Sequence, residues 1–541
     1  MLVLNADKKL EQEEKNMLQV ALLFQNEMVL QKDKKVAIWG NADAGAQVQI
    51  TMQGQEVWTE ADCNGKWETF LGPFSTSFSE EMTITSGKEK LILKEVQVGE
   101  VWLAGGQSNM EFHMRYDADM EDEKMVCTNR NIRFFDYPKV SYIGQINEAD
   151  YSKNYGFWRK AQPNQLERFS AVGYYFAKEL QNKYKVPIGI IGCNWGGTPA
   201  CAWMSKNAIM EGGGQIYLDE YETAVKNMDL EAYETGFRNN PESWKTDLLA
   251  NPFSDMMMYG CTMEELGAKL MEMGVDLSKM NPSDFAPVMG PKDERRPSGL
   301  YEAMLKEVAP YTIRGVIWYQ GETDGDCHPE LYKTLFPALI KDWRKLWKDE
   351  FPFLFVQIAP LNRWMDCIGD SYVEIREAQQ DTADNVPGTG MAVITDAGME
   401  SDIHPKKKQP VGHRLALLAQ NKVYGEDILC EAPTLSEVKA EQGKLTLTFK
   451  NAGNGMYLAE EAAHGQKIGT EIFGGLQIIQ DGQELDIRFM KARAEGEKVY
   501  IFGETIQAGV HTEVKIAKTG WYLVNLYNSA SIPARPAEAE C

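Results

Sequence analysis

Five largely apolar runs constrain this chain most: Val96-Gln-Val-Gly-Glu-Val-Trp-Leu-Ala104, Val186-Pro-Ile-Gly-Ile-Ile191, Ile313-Arg-Gly-Val-Ile-Trp-Tyr319, Phe353-Leu-Phe-Val-Gln-Ile358 and Met391-Ala-Val-Ile-Thr395. A strand with one wet face alternates apolar and polar residues, and these runs show little alternation. They fit strands buried on both faces, as in a parallel sheet. Between them lie amphipathic helical patterns at Val172 to Lys183, Tyr332 to Lys348 and Tyr372 to Asp384. Strand, helix, strand at this spacing reads as an α/β fold with a doubly wound sheet.

The flanks follow a different grammar. Residues 1–95 carry short β-type runs punctuated by turns, such as Val36-Ala-Ile-Trp39, Gln47-Val-Gln-Ile-Thr51 and Met82-Thr-Ile-Thr85, and read as a β-sandwich domain. Short β runs return after residue 430 at Lys444 to Phe449, Ile487-Arg-Phe489 and Lys498 to Phe502, so 431–541 reads as a second β-domain. The stretch 210–300, methionine-rich and opening on Gly212-Gly-Gly214, breaks the strand–helix rhythm. Segments such as Asp219 to Asn227 and Met263 to Met273 make it a helical insertion, leaving 96–209 and 301–430 as the α/β core. With 541 residues, several domains are expected.

Charge narrows the partners. Asp and Glu number 79 against 56 Lys and Arg, a formal charge of −23 that repels a phosphate backbone. The densest basic run is only Lys406-Lys407-Lys408, so nucleic acid is not an expected partner. No stretch reaches the roughly 18–20 apolar residues of a membrane span. Met1 leads into the charged run Glu11 to Lys15 without a basic n-region and apolar core, so no secretory leader is expected. The nine cysteines are scattered, odd in number and without C-x-x-C, which reads as reduced thiols in a cytoplasmic protein.

In open α/β sheets ligands bind beyond the carboxyl ends of the strands. There the runs deliver Gly105-Gly-Gln-Ser-Asn-Met110, Gly192-Cys-Asn-Trp-Gly-Gly-Thr198, Gln320-Gly-Glu-Thr-Asp324, and Asp396 with Ser401-Asp-Ile-His-Pro405. Ser108 follows a strand and a Gly-Gly turn. A lone serine there is usually a helix cap, and a nucleophilic one needs a base and an orienter for that base. Of six histidines, His464 and His511 fall in the C-terminal β-domain, and His413 and His113 in helices. His404 and His328 remain on loops at the correct edge. His404 is preferred, with Asp402 two residues before it and Pro405 stiffening the loop; His328, in Asp326-Cys-His-Pro329, is the runner-up. Oxyanion donors are available in the Ser108 N–H, an N–H of Gly196 or Gly197, and the Gln320 amide.

Gly-Gln-Ser-Asn-Met at 106–110, Trp-Gly-Gly-Thr at 195–198, Tyr-Gln-Gly-Glu at 319–322 and Asp-Ile-His-Pro at 402–405, in that order, closely resemble the sialate O-acetylesterase branch of the SGNH (GDSL-type) hydrolases. Asn26-Glu-Met-Val-Leu-Gln31 and Val36-Ala-Ile-Trp-Gly40 extend the resemblance towards the N-terminus. The resemblance implies a three-layer α/β/α core without metal or cofactor, removing O-acetyl groups from mono- or oligosaccharides. It makes Ser108 the nucleophile, His404 the base and Asp402 its orienter, with Ser108, a glycine of the 196–197 pair and Gln320 as the oxyanion hole. The wider superfamily spaces these groups as Asp-x-x-His, and here Ser401 holds the acid's place. A triad through Asp402 and a Ser–His dyad are both open.

Trp195 and Trp203 are candidates to stack on sugar faces, with Asn109 and Glu322 as further substrate contacts. Glu322 also reads as a hydrogen-bonding support for the Gln320 loop. Two rival functions stand beside this one: a non-catalytic glycan-binding protein built on the β-domains with a decayed hydrolase core, and a glycosidase using Glu322 with Asp324 nearby. An ordinary histidine at 404 would lose activity as pH falls through about 6–7.

Overall fold

The computed structural model describes residues 18–147, 153–239, 252–272, 274 and 289–541. The reading of the N-terminus as leaderless, with its Glu11 to Lys15 run, lies outside them, as does Met273 at the end of one expected helix.

Seven strands make the central layer: β1 (Glu89–Gly106), β2 (Asn129–Asp136), β3 (Trp158–Ala161), β4 (Ile188–Asn194), β5 (Gly315–Tyr319), β6 (Phe353–Val356) and β7 (Thr389–Ala392). Their order is β3-β2-β4-β1-β5-β6-β7. All neighbours are parallel except the edge strand β3, which runs antiparallel to β2. The five apolar runs became five parallel strands; β2 and β3 were not expected. Chain order reverses direction at β1, with β2 and β4 on one side and β5 to β7 on the other. Such a switch point opens a crevice at the carboxyl end of the central strand.

Helices cover both faces of this layer. On β1, Trp102 meets Phe176 of α1 (Ala171–Tyr184), with ring centroids 5.0 Å apart. Three residues on, and so on the opposite face, a Cβ at Gly105 would lie 2.8 Å from Trp343 of α3 (Tyr332–Trp347). The sheet therefore has no wet face, which is why its strands lack alternation. Trp102, Trp318 and Trp343 are wholly buried; each such ring contributes about 4–6 kcal/mol of transfer free energy, before ordering costs. α4 (Tyr372–Asn385) packs on α3, and α5 (Gln409–Lys422) on α1. Between β4 and β5 the regular elements among the described residues are helices, including α2 (Pro252–Tyr259).

The expected boundary near residue 95 is bridged by one strand. The first half of β1 pairs antiparallel with Ser77–Ser86 and parallel with Val29–Gln31, so the N-terminal strands continue the central sheet. They also share one hydrophobic core with it, from Leu18 to Ala432. A second core, Val438 to Ala534, lies between antiparallel sheets of the C-terminal region. There Ile487–Phe489 is a 3-10 turn and not the expected strand; its Asp486 cap accepts the Arg488 N–H. Among the described residues no helix is long and apolar enough to cross a membrane.

Candidate active site

Three strand ends meet at the switch point. Gly106 is in register with Asn194 of β4 and Tyr319 of β5, so Ser108, Trp195 and Gln320 leave the sheet together. Gly106 has φ +133°, and a Cβ there would sit 2.1 Å from the Tyr319 carbonyl oxygen. Only glycine fits. The turn is pinned on the far side by Gln107, whose N–H donates to Tyr319 O at 3.0 Å. Its side-chain oxygen accepts the N–H groups of Gly321 and Thr323.

Ser108 opens a short helix, Ser108–Glu111. Its Oγ lies 2.9 Å from Nε2 of His404, on the loop after β7. The other histidines are engaged elsewhere: His328 with Glu220 at 3.1 Å, His413 with Glu179, His464 with the Ala397 carbonyl and His511 with Glu540. His113 is not in the helix after Ser108; it sits buried beyond the helix end, 3.8 Å from Asp136.

Asp402 does not take the orienter's position. Its Oδ1 accepts the His404 backbone N–H at 2.8 Å but lies 3.8 Å from Nδ1, beyond hydrogen-bond reach. Its Oδ2 pairs with Lys406 at 2.9 Å. Nδ1 is buried and has no hydrogen-bond partner among the described residues, so no backbone carbonyl replaces the acid. The imidazole is held instead by the loop and by ring packing, with Trp364 edge-on at 5.4 Å and Phe112 stacked at 6.5 Å. Burial and the charges of Lys406 and Lys408 push its pKa well below the ordinary 6.5, which keeps Nε2 free to accept a proton.

Asn109 and Glu322 were expected to touch substrate, but both are buried. Asn109 ties three elements behind the serine: its amide donates to Glu322 Oε1 at 2.6 Å and to the Ile403 carbonyl at 3.0 Å, and its oxygen accepts from Lys408 Nζ at 2.6 Å. Glu322 thus supports Asn109 rather than the Gln320 loop. Burial pushes the Glu322 carboxyl up to about 7 and the Lys408 ammonium down to about 7.

The 195–198 loop forms the opposite wall. A Cβ at Gly196 would lie 3.2 Å from Ser108 Cβ, so the loop packs directly on the nucleophile candidate. The Gly196 N–H is already bound, donating to Glu111 Oε2 at 2.7 Å. Gly197, exposed at φ +71°, has an N–H without a partner among the described residues, as does Ser108. Gln320 differs from expectation. Its amide nitrogen donates to Asp324 and, at 3.3 Å, to the Thr198 carbonyl, while its oxygen accepts from Tyr332. Both amide hydrogens are committed, so Gln320 braces the glycine loop from below. Asp324, raised to about 6 by burial, also accepts the Ala200 N–H at 2.9 Å.

Trp203 is wholly buried, its indole N–H donating to Thr198 Oγ1, so it packs the core and offers no sugar face. Trp195 is half-buried at the edge of the site. Sequence reasoning missed Glu111 and Lys139. Lys139 is wholly buried, 3.5 Å from Glu111 Oε1 and 3.0 Å from Asn194 Oδ1. It also missed Trp364, whose only signal was an aromatic in a loop at the correct sheet edge. A hydroxyl beside a neutral imidazole, with unpaired backbone N–H groups on Ser108 itself and in the adjoining glycine loop, is equipped for nucleophilic acyl transfer.

Residues 290–420 match the model of a carbohydrate esterase family, the sialic acid-specific acetylesterases. The chain is 29% identical to the sialate O-acetylesterase of Rattus norvegicus over 79% of its length and 78% of that protein's. It is 28% identical to that of Homo sapiens over 79% and 76%. Among solved structures, a carbohydrate acetylesterase from Xanthomonas citri superposes with a TM-score of 0.70 at 26% identity, covering 96% of this chain and 99% of that one.

Proposed function

We propose that the chain acts as a carbohydrate acetylesterase of the sialate O-acetylesterase type, with Ser108 and His404 carrying its reaction as a dyad. The observation that carries this reading is the 2.9 Å contact between Ser108 Oγ and His404 Nε2. As Oγ attacks the acetyl carbonyl of an O-acetylated sugar, Nε2 takes its proton. The carbonyl π electrons move to oxygen, and the oxyanion lies against the N–H groups of Ser108 and Gly197. Collapse breaks the bond to the sugar oxygen, which leaves with the proton from His404. Water, deprotonated by the same imidazole, then attacks the acetyl-serine, releasing acetate and restoring the hydroxyl.

In this reading the parallel sheet with helices on both faces is the three-layer core of an SGNH hydrolase. Gln320 and Asp324 are positioning residues that hold the glycine loop against the serine. The glycosidase alternative is disfavoured by burial: Glu322 and Asp324 are both enclosed and bonded to Asn109, Gln320 and Ala200. The substrate is an acetylated mono- or oligosaccharide, from sialic acids or plant glycans. A fluorophosphonate that phosphonylates activated serines tests the assignment. The wild type should gain one adduct, mapped to Ser108 by peptide mass, and Ser108→Ala none. An adduct on another serine, or none on an active enzyme, overturns it.

A further inference from the structure

Strand β6 ends beside the site, and the chain then leaves the sheet as a small hairpin, Arg363–Trp364 paired with Cys367–Ile368. The hairpin is fastened to the histidine loop. The N–H groups of Asn362 and Arg363 both donate to the Glu400 carbonyl, at 3.0 and 3.2 Å, four residues before His404. Met365 in the hairpin's turn and Ile368 at its base are exposed, at 37% and 48%. Trp364 is half-buried, one side against the His404 ring.

We propose that Trp364 is the face on which the acetylated sugar ring stacks, an inference that rests on the Ser108–His404 reading. The chemistry dictates which side the sugar occupies. The departing oxygen must receive its proton from His404 Nε2, so it lies within hydrogen-bond reach of that atom when the ester bond breaks. The carbonyl oxygen points the other way, towards Ser108 and Gly197. The sugar ring attached to the departing oxygen therefore lies on the histidine side, where of the two rings on His404 Phe112 is wholly buried and Trp364 is half-exposed. Trp195 belongs to the glycine loop on the carbonyl-oxygen side, and Trp203 is enclosed. A pyranose face of C–H groups on an indole is a favourable apolar contact, and it adds substrate affinity without taking part in bond breaking.

The test compares a mono-O-acetylated hexose with ethyl acetate, whose leaving group has no ring. For Trp364→Ala, kcat/KM on the sugar ester should fall roughly tenfold further than on ethyl acetate, the excess mainly through KM, since any support that Trp364 gives the His404 ring is lost equally to both esters. Trp364→Phe should recover most of the loss on the sugar ester. Equal losses on both esters would mean that Trp364 merely supports the His404 ring, and no loss on either that the sugar lies elsewhere; both overturn the proposal. Ser108→Ala in parallel separates the two readings: if it still hydrolyses ethyl acetate, the dyad has failed, whatever Trp364 does.

Discussion

Glu111 and Gly196, 85 residues apart in the chain, are joined by a 2.7 Å hydrogen bond from the glycine N–H to the carboxylate. That bond holds the glycine loop against Ser108, and the next N–H, that of Gly197, has no partner among the described residues. Lys139, buried 3.5 Å away, supplies the countercharge that an enclosed carboxylate needs.

Glu111→Ala should therefore lower kcat by about ten- to a hundredfold with KM little changed, because a displaced donor weakens transition-state binding more than ground-state binding. Glu111→Gln keeps an acceptor oxygen and should lose less. Steady-state kinetics on one acetylated sugar, with thermal unfolding as a fold control, check both. A change confined to KM would remove Glu111 from the oxyanion wall.

Asp402 offers a second test. Where an aspartate orients the histidine tautomer, its replacement by asparagine costs about 10⁴-fold in kcat. Here its Oδ1 is 3.8 Å from Nδ1 and serves the His404 backbone N–H, a bond that an asparagine oxygen still accepts. Asp402→Asn should retain activity within roughly tenfold, against a loss of about 10³-fold or more for His404→Ala. Comparable losses would restore the triad.

The pH profile follows from the surroundings of His404: Ser108, Asp402, Lys406 and Lys408, with the Phe112 and Trp364 rings. Burial first, then the two lysines, favour the neutral imidazole. The active form is thus kept as pH falls, and the acid limb of kcat/KM should lie below 6.5, the ordinary histidine value. Lys406→Met removes one of the positive charges, so the limb should move to higher pH. A rate profile from about pH 4 to 8 measures both. An unmoved limb, or a wild-type limb at or above the ordinary value, contradicts this electrostatic account.

Much of this was legible in the sequence, for physical reasons. Strands covered on both faces write continuous apolar runs, and five of the central strands were found that way. β2 was hidden by its arginines. Arg133 is buried there because the carbonyls of Glu27, Met28 and Glu95 accept from its guanidinium, and no local pattern announces partners so distant. The pairing of Ser108 with His404 was legible because few histidines compete for the correct edge. The role of Asp402 was not, since spacing cannot tell a carboxylate bonded to an imidazole from one bonded to a backbone N–H and a lysine. Gln320 was assigned to the oxyanion because its place in the motif does not reveal Asp324, Thr198 and Tyr332, which engage its amide. Glu111 left no trace, because its meaning depends on Gly196.

The central claim is that a serine, activated by His404, hydrolyses acetyl esters on sugars. Acetate release from an O-acetylated sugar, by wild type and Ser108→Ala side by side, tests it most directly. The account predicts release by the wild type and a loss of about 10³-fold or more in the variant, with its fold unchanged. Equal acetate release from both proteins would contradict it.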